Sequence, residues 1–256
     1  MTDIKACAEA VDRHTKNGGV VGFQFSGGRD SVAALFLLRE CWSKMRVYHL
    51  DSGDQFPEVA RVVREVEKAL SDHGVEIHRI TGQVQSVVAI YGLPSDLVPV
   101  DNHSFVGLNV SGRDLAIQSR YECCARSIMF PMHSRMLADG VTLIVRGQRD
   151  EDYASPPFRS GDVSDGMEVL YPIEKWTGKQ VLDYLDLHDL PRTDFYTSGM
   201  KQSPDCMHCT AWWDEGRMAY LKKRDPSAHA RVAAQMIEIR AEVHRQLSFL
   251  DAELGV

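Results

Sequence analysis

Short apolar runs alternate with helix-like segments through the first third of the sequence, and this alternation limits the fold more than any other feature. The apolar runs lie at residues 19–25, 46–50 and 75–80, and helical periodicity occupies residues 31–40 and 58–71. Strands that alternate with helices pair in parallel, and the connecting helices cover both faces of the sheet. The sequence therefore predicts the α/β class, with a doubly wound parallel sheet and helices on both faces.

The rest of the chain continues this pattern with weaker signals. A helix is predicted at residues 129–138, a strand at 141–145, and amphipathic helices at 176–188 and 228–250. Residues 92–113 and 150–166 are rich in Pro, Gly, Asn and Asp, so we expect loops there. The last helices are expected to form a C-terminal extension of the α/β domain.

Composition narrows the class of protein. The 256 residues carry a formal net charge of −7, and 44% of them are hydrophobic, which is enough to bury one full core. An acidic chain does not favour broad electrostatic contact with nucleic acid, although a local basic patch is compatible with it. No segment has the length and apolarity of a membrane span, and residues 1–17 lack the apolar stretch of a signal peptide. We therefore expect a cytoplasmic protein without a membrane contact.

The segment SGGRDS follows the first apolar run and precedes the first helix-like segment. Glycines at such a position let the chain turn sharply, and the start of the next helix favours an anion. A Walker loop would place Gly-Lys-Ser/Thr after its second glycine, and the Rossmann pattern of spaced glycines is also absent. Local sequence leaves two interpretations, a phosphate-binding loop and a tight turn capped by Asp30 or Ser31.

The order of residues in this segment resembles the SGGxDS pyrophosphate loop of the adenine nucleotide alpha-hydrolase-like superfamily, whose members bind ATP or cleave it between the α and β phosphates. The resemblance implies that ATP is a substrate, with Mg²⁺ balancing the phosphate charge. Arg29 stands where many members have lysine, and its charge still favours phosphate. The implied nucleotide-binding residues are Ser26, Gly27, Gly28, Arg29, Asp30 and Ser31, and Arg29 and Asp30 are also catalytic candidates.

Two later segments are similar to the phosphoadenylyl-sulfate (PAPS) reductase family of that superfamily. The segment VYHLDSGDQFPE at residues 47–58 resembles the second strand and turn of the family, which implies that Asp51 and Ser52 contact the adenosine. The segment RGQRDED at residues 146–152 resembles its Gly-x-Arg segment, which makes Arg149 a further phosphate-binding and catalytic candidate. The alternatives are a helix cap and turn for Asp51 and Ser52, and a surface ion pair for Arg149.

Four of the six cysteines form two pairs, Cys123-Cys124 and Cys206-x-x-Cys209. In a reducing compartment such pairs are more typical of metal ligands than of disulfides. They resemble the paired cysteines and the Ser-x-x-Cys-x-x-Cys segment of the family's iron–sulfur branch, which implies that the four thiolates hold one [4Fe-4S] cluster beside the nucleotide. Structural zinc, or pairs that are only buried or redox-active, stay open as alternatives. His208 is either a fifth ligand or a neighbour of the site.

The sequence lacks the C-terminal cysteine that the reductases of this family use. The reductases attack the sulfate sulfur with the thiolate of a C-terminal Glu-Cys-Gly-x-His segment, and no cysteine follows Cys209 in this sequence. A serine is a much poorer nucleophile toward that sulfur. We therefore expect reduction by the family mechanism only if Cys7 or Cys41 replaces the missing thiolate.

Two further departures concern charge and the nucleotide loop. The iron–sulfur reductases have Arg-Lys where this chain has Ser127 and Ile128, and Arg126 lies one residue early. The reductases also tend to have a degenerate nucleotide loop, whereas residues 26–31 keep the fuller ATP-type form. Both differences favour a relative that binds ATP.

Three hypotheses follow from these features. The first is an enzyme that cleaves ATP to AMP and pyrophosphate and so activates a substrate for iron–sulfur-assisted sulfur transfer. The second is an adenylyl-sulfate or PAPS reductase that yields sulfite and AMP, and the third is a noncatalytic nucleotide-binding cluster subunit of a complex. Residues 1–210 are expected to form the nucleotide-binding domain with the four-cysteine site, and residues 211–256 a helical segment packed on it.

The implied partners are few. An adenine nucleotide is expected, and a sulfur or electron donor protein and a second copy of the chain stay open. The basic run Lys222, Lys223 and Arg224 leaves nucleic acid open without predicting it, since three such charges usually form a solvated helix end.

Overall fold

A computed structural model describes residues 4–152, 154 and 157–256 of the chain. The strands are β1 (Val20–Gln24), β2 (Met45–Asp51), β3 (Ile77–Thr81), β4 (Leu93–Ser95), β5 (Ile117–Ser119), β6 (Val141–Arg146), β7 (Val163–Ser164) and β8 (Met167–Leu170). The α-helices are α1 (Ile4–Lys16), α2 (Arg29–Leu37), α3 (Pro57–Ser71), α4 (Val84–Tyr91), α5 (Ser104–Ser111), α6 (Arg120–Cys124), α7 (Phe130–Ala138), α8 (Gly178–Leu187), α9 (Arg217–Arg224) and α10 (Pro226–Leu254). A π-helical turn at Ala125–Met129 continues α6.

The main sheet has six strands in the order β3-β2-β1-β6-β8-β7. All neighbouring strands are parallel except β7, which is antiparallel to β8. Helices lie on both sides of this mostly parallel sheet, and the last described elements are the helices α9 and α10, which confirms the predicted fold class. The strand order reverses between β1 and β6, so the loops that follow these two strands meet at the topological switch point.

Apolar side chains bury the central strands on both faces. Val21 and Phe23 of β1 and Leu143 and Val145 of β6 are at most 1% exposed, and Ile144, on the opposite face of β6, is also buried. A strand covered on both faces needs a nearly continuous apolar run of this kind. The apolar runs predicted as strands at residues 19–25, 46–50, 75–80 and 141–145 all form strands of this sheet.

The contacts divide the chain into two compact units. The first unit contains the residues up to Asp51 together with Phe56–Thr81 and Pro131–Asp194, and it holds the six-stranded sheet. The second unit contains Ser52–Gln55, Gly82–Phe130 and Phe195–Val256, and it holds β4 and β5, which pair in parallel, together with α9 and α10. The domain boundary predicted at residue 210 stays a prediction.

The loop predicted at residues 92–113 is wrong in part, because this segment contains β4 and α5. No residue of α5 is buried, and its Phe105 and Val110 are 81% and 84% exposed, so the helix has no apolar stripe that a sequence pattern could reveal. The loop predicted at residues 150–166 ends in β7, and Tyr153, Ser155 and Pro156 within it lie outside the described residues.

The predicted C-terminal helix is α10, which has 29 residues and begins at Pro226 behind an Asp225 cap. Among the helices that the structure describes, none is long and apolar enough to cross a membrane.

Candidate functional site

The loop between β1 and α2 turns at Gly27. Its φ of +81° lies in the left-handed region, which favours glycine. A Cβ atom at this position would lie 2.9 Å from Val59 Cγ1 and 3.0 Å from Val63 Cγ2, both on α3. The backbone and the packing of α3 therefore both require glycine here.

Hydrogen bonds within the loop close it on the start of α2. Ser26 Oγ accepts from Gly28 N–H at 3.3 Å and donates to Ser31 Oγ at 3.1 Å, and Ser31 Oγ donates to the Gly28 carbonyl at 2.9 Å. The helix begins at Arg29 without a side-chain cap. Because the first N–H groups of a helix have no carbonyl partner within it, an uncapped start favours an anion.

The loop after β6 brings Arg149 to this helix start. Arg149 Nε lies 2.8 Å from Asp30 Oδ1, and Arg29 Nε lies 3.5 Å from Asp30 Oδ2. Gly147 permits the approach, since a Cβ there would collide with the Asp30 backbone and lie 2.7 Å from Ser31 N. Arg149 is 5% exposed, so it is not a surface ion pair. The structure thus brings the three predicted catalytic candidates together.

Two acidic residues that the sequence analysis did not select complete this cluster. Glu151 Oε2 lies 2.6 Å from Arg149 Nη1, and Asp152 Oδ1 lies 2.8 Å from Arg149 Nη2. The Gly178 N–H, at the first residue of α8, donates to the same Glu151 oxygen at 2.9 Å. The only sequence signal for Glu151 and Asp152 is their adjacency to Arg149 in RGQRDED.

The cluster joins two arginines to three carboxylates. Burial raises the pKa of Asp30, although Arg149 and Arg29 oppose this shift. Burial also opposes the charge of Arg149, but the carboxylates of Asp30, Asp152 and Glu151 outweigh burial and raise its pKa. Glu151 and Asp152 therefore occupy an environment of guanidinium and helix-start N–H groups that equally suits phosphate or sulfate oxygens.

The two predicted adenosine contacts have different surroundings. Asp51 is exposed at the end of β2 in the first unit. Ser52 is buried in the second unit, where its Oγ donates to the Asp205 carbonyl at 2.8 Å and accepts from Asp54 N–H at 3.2 Å. The Ser52 hydroxyl thus stabilises a turn, and the adenosine contact of both residues stays a prediction.

All four predicted ligand cysteines lie in the second unit. Cys123 and Cys124 end α6, and all cysteines of the chain are free thiols. Burial is the main cause that raises the pKa of Cys123 to about 11 and of Cys124 to about 12, and it also raises the pKa of Cys206. The charge of Cys209 contributes to all three shifts. Cys209 thus lies near enough to the other three cysteines to affect their pKa values.

The donor set suits a thiophilic group, since the four thiols are buried or half-buried and thiolates prefer soft metals. Among the residues that the structure describes, no three His, Cys, Asp or Glu side chains are placed to bind a single metal ion. Tetrahedral zinc needs its four sulfurs about 2.3 Å from one point. The described residues do not show this arrangement, and the identity of the group that the four cysteines would hold stays a prediction.

Polar residues surround the cysteines. Asp54 Oδ1 lies 2.6 Å from His208 Nδ1, and its Oδ2 accepts from His208 N–H at 2.9 Å, so Asp54 already binds one ring nitrogen of the candidate fifth ligand. The charge of Arg126 favours the Cys123 thiolate, although burial outweighs it. Arg217 is 4% exposed and donates to the Cys209 carbonyl at 2.9 Å, and nothing in its local sequence indicates this contact.

The remaining cysteines lie apart from this group, in the first unit. Cys7 is 5% exposed and Cys41 is 3% exposed, and burial raises the pKa of Cys41. Since the thiolate is the nucleophilic form, neither residue has the surroundings of a reactive cysteine.

The sheet and the loop define the class of protein: a doubly wound α/β protein with a glycine turn at its switch point, where such folds bind ligands. A family model described as the phosphoadenosine phosphosulfate reductase domain matches residues 21–212. This match spans most of the sequence, so the chain belongs to that family.

Individual relatives agree with this membership. Adenosine 5'-phosphosulfate reductase of Allochromatium vinosum is 24% identical over 255 positions, which cover 89% of this chain and 90% of that protein. The crystal structure of phosphoadenylyl-sulfate reductase from Candida auris, a phosphate complex, has a TM-score of 0.54 at 15% identity and covers 80% of this chain and 88% of its own. This likeness shows a shared fold.

A more distant neighbour is the U34-tRNA thiolase NcsA from Methanococcus maripaludis, whose structure contains its [4Fe-4S] cluster. Its TM-score is 0.42 at 10% identity, with 92% of this chain and 79% of that chain covered.

Proposed function

We propose that this protein binds ATP at the loop of residues 26–31 and cleaves it to AMP and pyrophosphate in order to activate an acceptor for sulfur transfer. An acceptor oxygen attacks the α-phosphorus, pyrophosphate leaves, and the acceptor becomes an adenylate. A sulfur nucleophile from a donor protein then replaces that oxygen and releases AMP. The observation that carries the proposal is the uncapped start of α2 beside Arg29 and Arg149 at the switch point.

The residues of this site have the chemistry that a pyrophosphate group requires. The guanidinium group of Arg149 can bind phosphate oxygens in two places at once, and the first turn of α2 offers backbone N–H groups. Negative charge develops on pyrophosphate as it leaves, so Arg29 and Arg149 would stabilise the leaving group. Mg²⁺ would arrive with the nucleotide, since no group of carboxylates among the described residues is arranged to hold a metal ion alone.

The four paired cysteines would hold a [4Fe-4S] cluster: Cys123, Cys124, Cys206 and Cys209. When bound, such a group supplies electron transfer and a thiophilic iron. The protein buries Cys123 and shields the other three thiols in part, and the charge of Arg126 favours the Cys123 thiolate. This part of the proposal requires a reducing compartment such as the cytoplasm, because oxidation would convert neighbouring thiols to disulfides.

A sulfonucleotide reductase is the second candidate, because the curated relative is named as an adenosine 5'-phosphosulfate reductase and the family carries a reductase name. Such an enzyme would convert adenylyl sulfate or PAPS to sulfite and AMP. Its attacking thiolate would have to come from outside the two cysteine pairs, and both Cys7 and Cys41 are buried. We therefore rank the reductase second.

One experiment separates these functions. Protein purified without oxygen is incubated separately with ATP, adenylyl sulfate and PAPS, each with a thiol reductant, and pyrophosphate, AMP and sulfite are measured. Pyrophosphate and AMP from ATP support the proposal, and sulfite from either sulfonucleotide supports the reductase. Nucleotide binding without any product from the three nucleotides would favour a noncatalytic subunit.

A pair of variants tests the loop itself. Gly28 caps α2 in an extended conformation, with φ −76° and ψ 159°, which any residue adopts. Asp and Asn are equally good caps. We expect Gly28→Asp to lower ATP affinity at least about tenfold through charge repulsion, while Gly28→Asn keeps most of it. Isothermal titration calorimetry checks the affinities, and equal affinity of the two variants would contradict the site.

A further inference from the structure

Arg217, the first residue of α9, is a buried charge that the proposed reaction does not use. Its guanidinium donates from Nη1 to the carbonyls of Cys209 at 2.9 Å and Ala211 at 3.3 Å, and from Nη2 to Glu215 Oε2 at 2.8 Å. Its Nε is buried and has no hydrogen-bond partner within the part of the chain that the structure describes. Arg217 and Cys209 also line the same small pocket.

The surroundings of Arg217 explain why a cation is buried there. Burial opposes its charge, but Cys209, Glu215 and Cys206 outweigh burial and raise the pKa of Arg217. The Cys206 thiol, in contrast, lies among acidic neighbours, Asp205 and Asp54. Since the thiols must lose their protons to bind metal, loading the site would add negative charge where little water can screen it. Arg217 is a fixed positive charge on the side of Cys209.

The contact to the Cys209 carbonyl adds a geometric role. A guanidinium has five donors in a rigid plane, so one group can hold the backbone of the second ligand pair and pair with Glu215 at the same time. A lysine ammonium would keep the charge but lose this fixed fork. At the other pair, the charge of the more exposed Arg126 favours the Cys123 thiolate.

We propose that Arg217 is the charge-balancing and positioning residue of the four-cysteine site, and that it sets the ease with which a metal–sulfur group held there accepts an electron. This inference rests on the proposed cluster. An added electron makes the cluster more negative, so removing the nearby positive charge makes reduction harder. Removing the negative charge of its partner Glu215 makes reduction easier.

The test measures the midpoint potential of the reconstituted cluster, followed by electron paramagnetic resonance, together with iron and sulfide content per chain. We expect Arg217→Gln to disfavour reduction about tenfold, which is about 59 mV for a one-electron couple, and Arg217→Lys to recover much of this shift. Glu215→Gln should shift the potential in the opposite direction. Arg231→Gln removes the same charge from an exposed position on α10 and should leave the potential unchanged.

The outcomes separate this inference from the proposed function. Wild-type protein that takes up no iron overturns this inference and the proposed cluster, whereas the ATP assay decides the proposed cleavage of ATP separately. Wild-type protein with a full cluster, but with potentials of Arg217→Gln and Glu215→Gln equal to its own, overturns the role of Arg217 and leaves the proposed function intact. If Arg217→Gln fails to fold by circular dichroism, the direction of the Glu215→Gln shift decides, and a lower potential there would overturn the inference.

Discussion

Glu151 shows how one side chain can stand in for a ligand. Its Oε2 receives the Gly178 N–H and lies beside Arg149 Nη1, so a carboxylate oxygen occupies a place with the donors that a phosphate oxygen would use. The side chain of Glu151 is 51% exposed, whereas that of Arg149 is 6% exposed. The exposed carboxylate can therefore leave while the arginine stays in place. An incoming anion would have to displace Glu151.

The expected consequence is that Glu151→Gln strengthens pyrophosphate binding about tenfold, because the variant removes a competing negative charge next to Arg149. Isothermal titration calorimetry with pyrophosphate, without metal ions, measures the change. Asp183→Asn is the matched control, since Asp183 forms an ion pair with the exposed Lys179 on α8. The titration is then repeated with Mg²⁺. Weaker pyrophosphate binding by Glu151→Gln in the presence of Mg²⁺ would contradict this prediction and identify Glu151 as a metal ligand.

At the scale of elements, hydrophobic periodicity was sufficient to predict the strands of the six-stranded sheet but not every element of the second unit. The buried strands β1 and β6 are predictable because burial on both faces demands apolar residues at nearly every position. Helix α5 is not predictable in this way, since none of its residues is buried. The close approach between Gly147, which follows β6, and the start of α2 could not be predicted from the sequence either. The need for glycine at this position is apparent only once the opposing backbone of Asp30 and Ser31 is known.

That close approach gives a prediction. Gly147→Ala should destabilise the protein by about 1–3 kcal/mol and weaken nucleotide binding, because the new methyl group must displace the backbone of Asp30 and Ser31. Gly178→Ala is the control, since its methyl group would meet the movable end of the Arg29 side chain at 3.1 Å. Urea unfolding measures the stability. Wild-type stability in Gly147→Ala would show that the strand and the helix can separate without cost.

A second prediction concerns the contact between α1 and β8. Burial opposes the charge of Glu168, but hydrogen bonds from His14 and Arg13 outweigh burial and lower its pKa below the ordinary 4.5. A lowered folded-state pKa stabilises the protein above the unfolded value, and this stabilisation is lost as pH falls through the folded value. Glu168→Gln should therefore lower the free energy of unfolding by about 1–2 kcal/mol at pH 7 and by little at pH 3.

The control for Glu168→Gln is Glu65→Gln, whose pair with Arg61 is exposed on both sides, at 47% each. Urea unfolding of both variants at the two pH values measures the difference. A loss of stability in Glu168→Gln that is the same at pH 3 as at pH 7 would show that the charge of Glu168 is not its cause.

At the scale of the whole molecule, the sequence selected four candidate cysteines but did not reveal what surrounds them. The order of motifs along the chain selected Cys123, Cys124, Cys206 and Cys209 through a family resemblance. Arg217 contacts the Cys209 carbonyl because the chain turns between the second cysteine pair and the start of α9. No local sequence pattern predicts this turn. The candidate ligand residues could thus be selected from the sequence, whereas the charged residue beside them could not.

Ligands should therefore protect different parts of the chain from hydrogen exchange. Pyrophosphate should slow exchange at residues 26–31 and 147–152 of the first unit, because it orders the loops that bind it. Removal of iron by a chelator should speed exchange at residues 120–130 and 205–217 of the second unit. Mass spectrometry after exchange in heavy water measures both effects. Unchanged exchange at the cysteine segments after iron loss would contradict a cluster there.

The alternation of the chain between its two units also sets an order of events at the ribosome. Each unit is assembled from three separate stretches, and Cys206 follows Cys124 by 82 positions. At the usual speed of translation these residues take roughly 4–16 s to make. During that interval the first cysteine pair exists without its partners. If the four thiols hold the proposed cluster, it must therefore be inserted late, and a growing chain in an oxidising medium would be at risk of losing its ligands before the last of them is made.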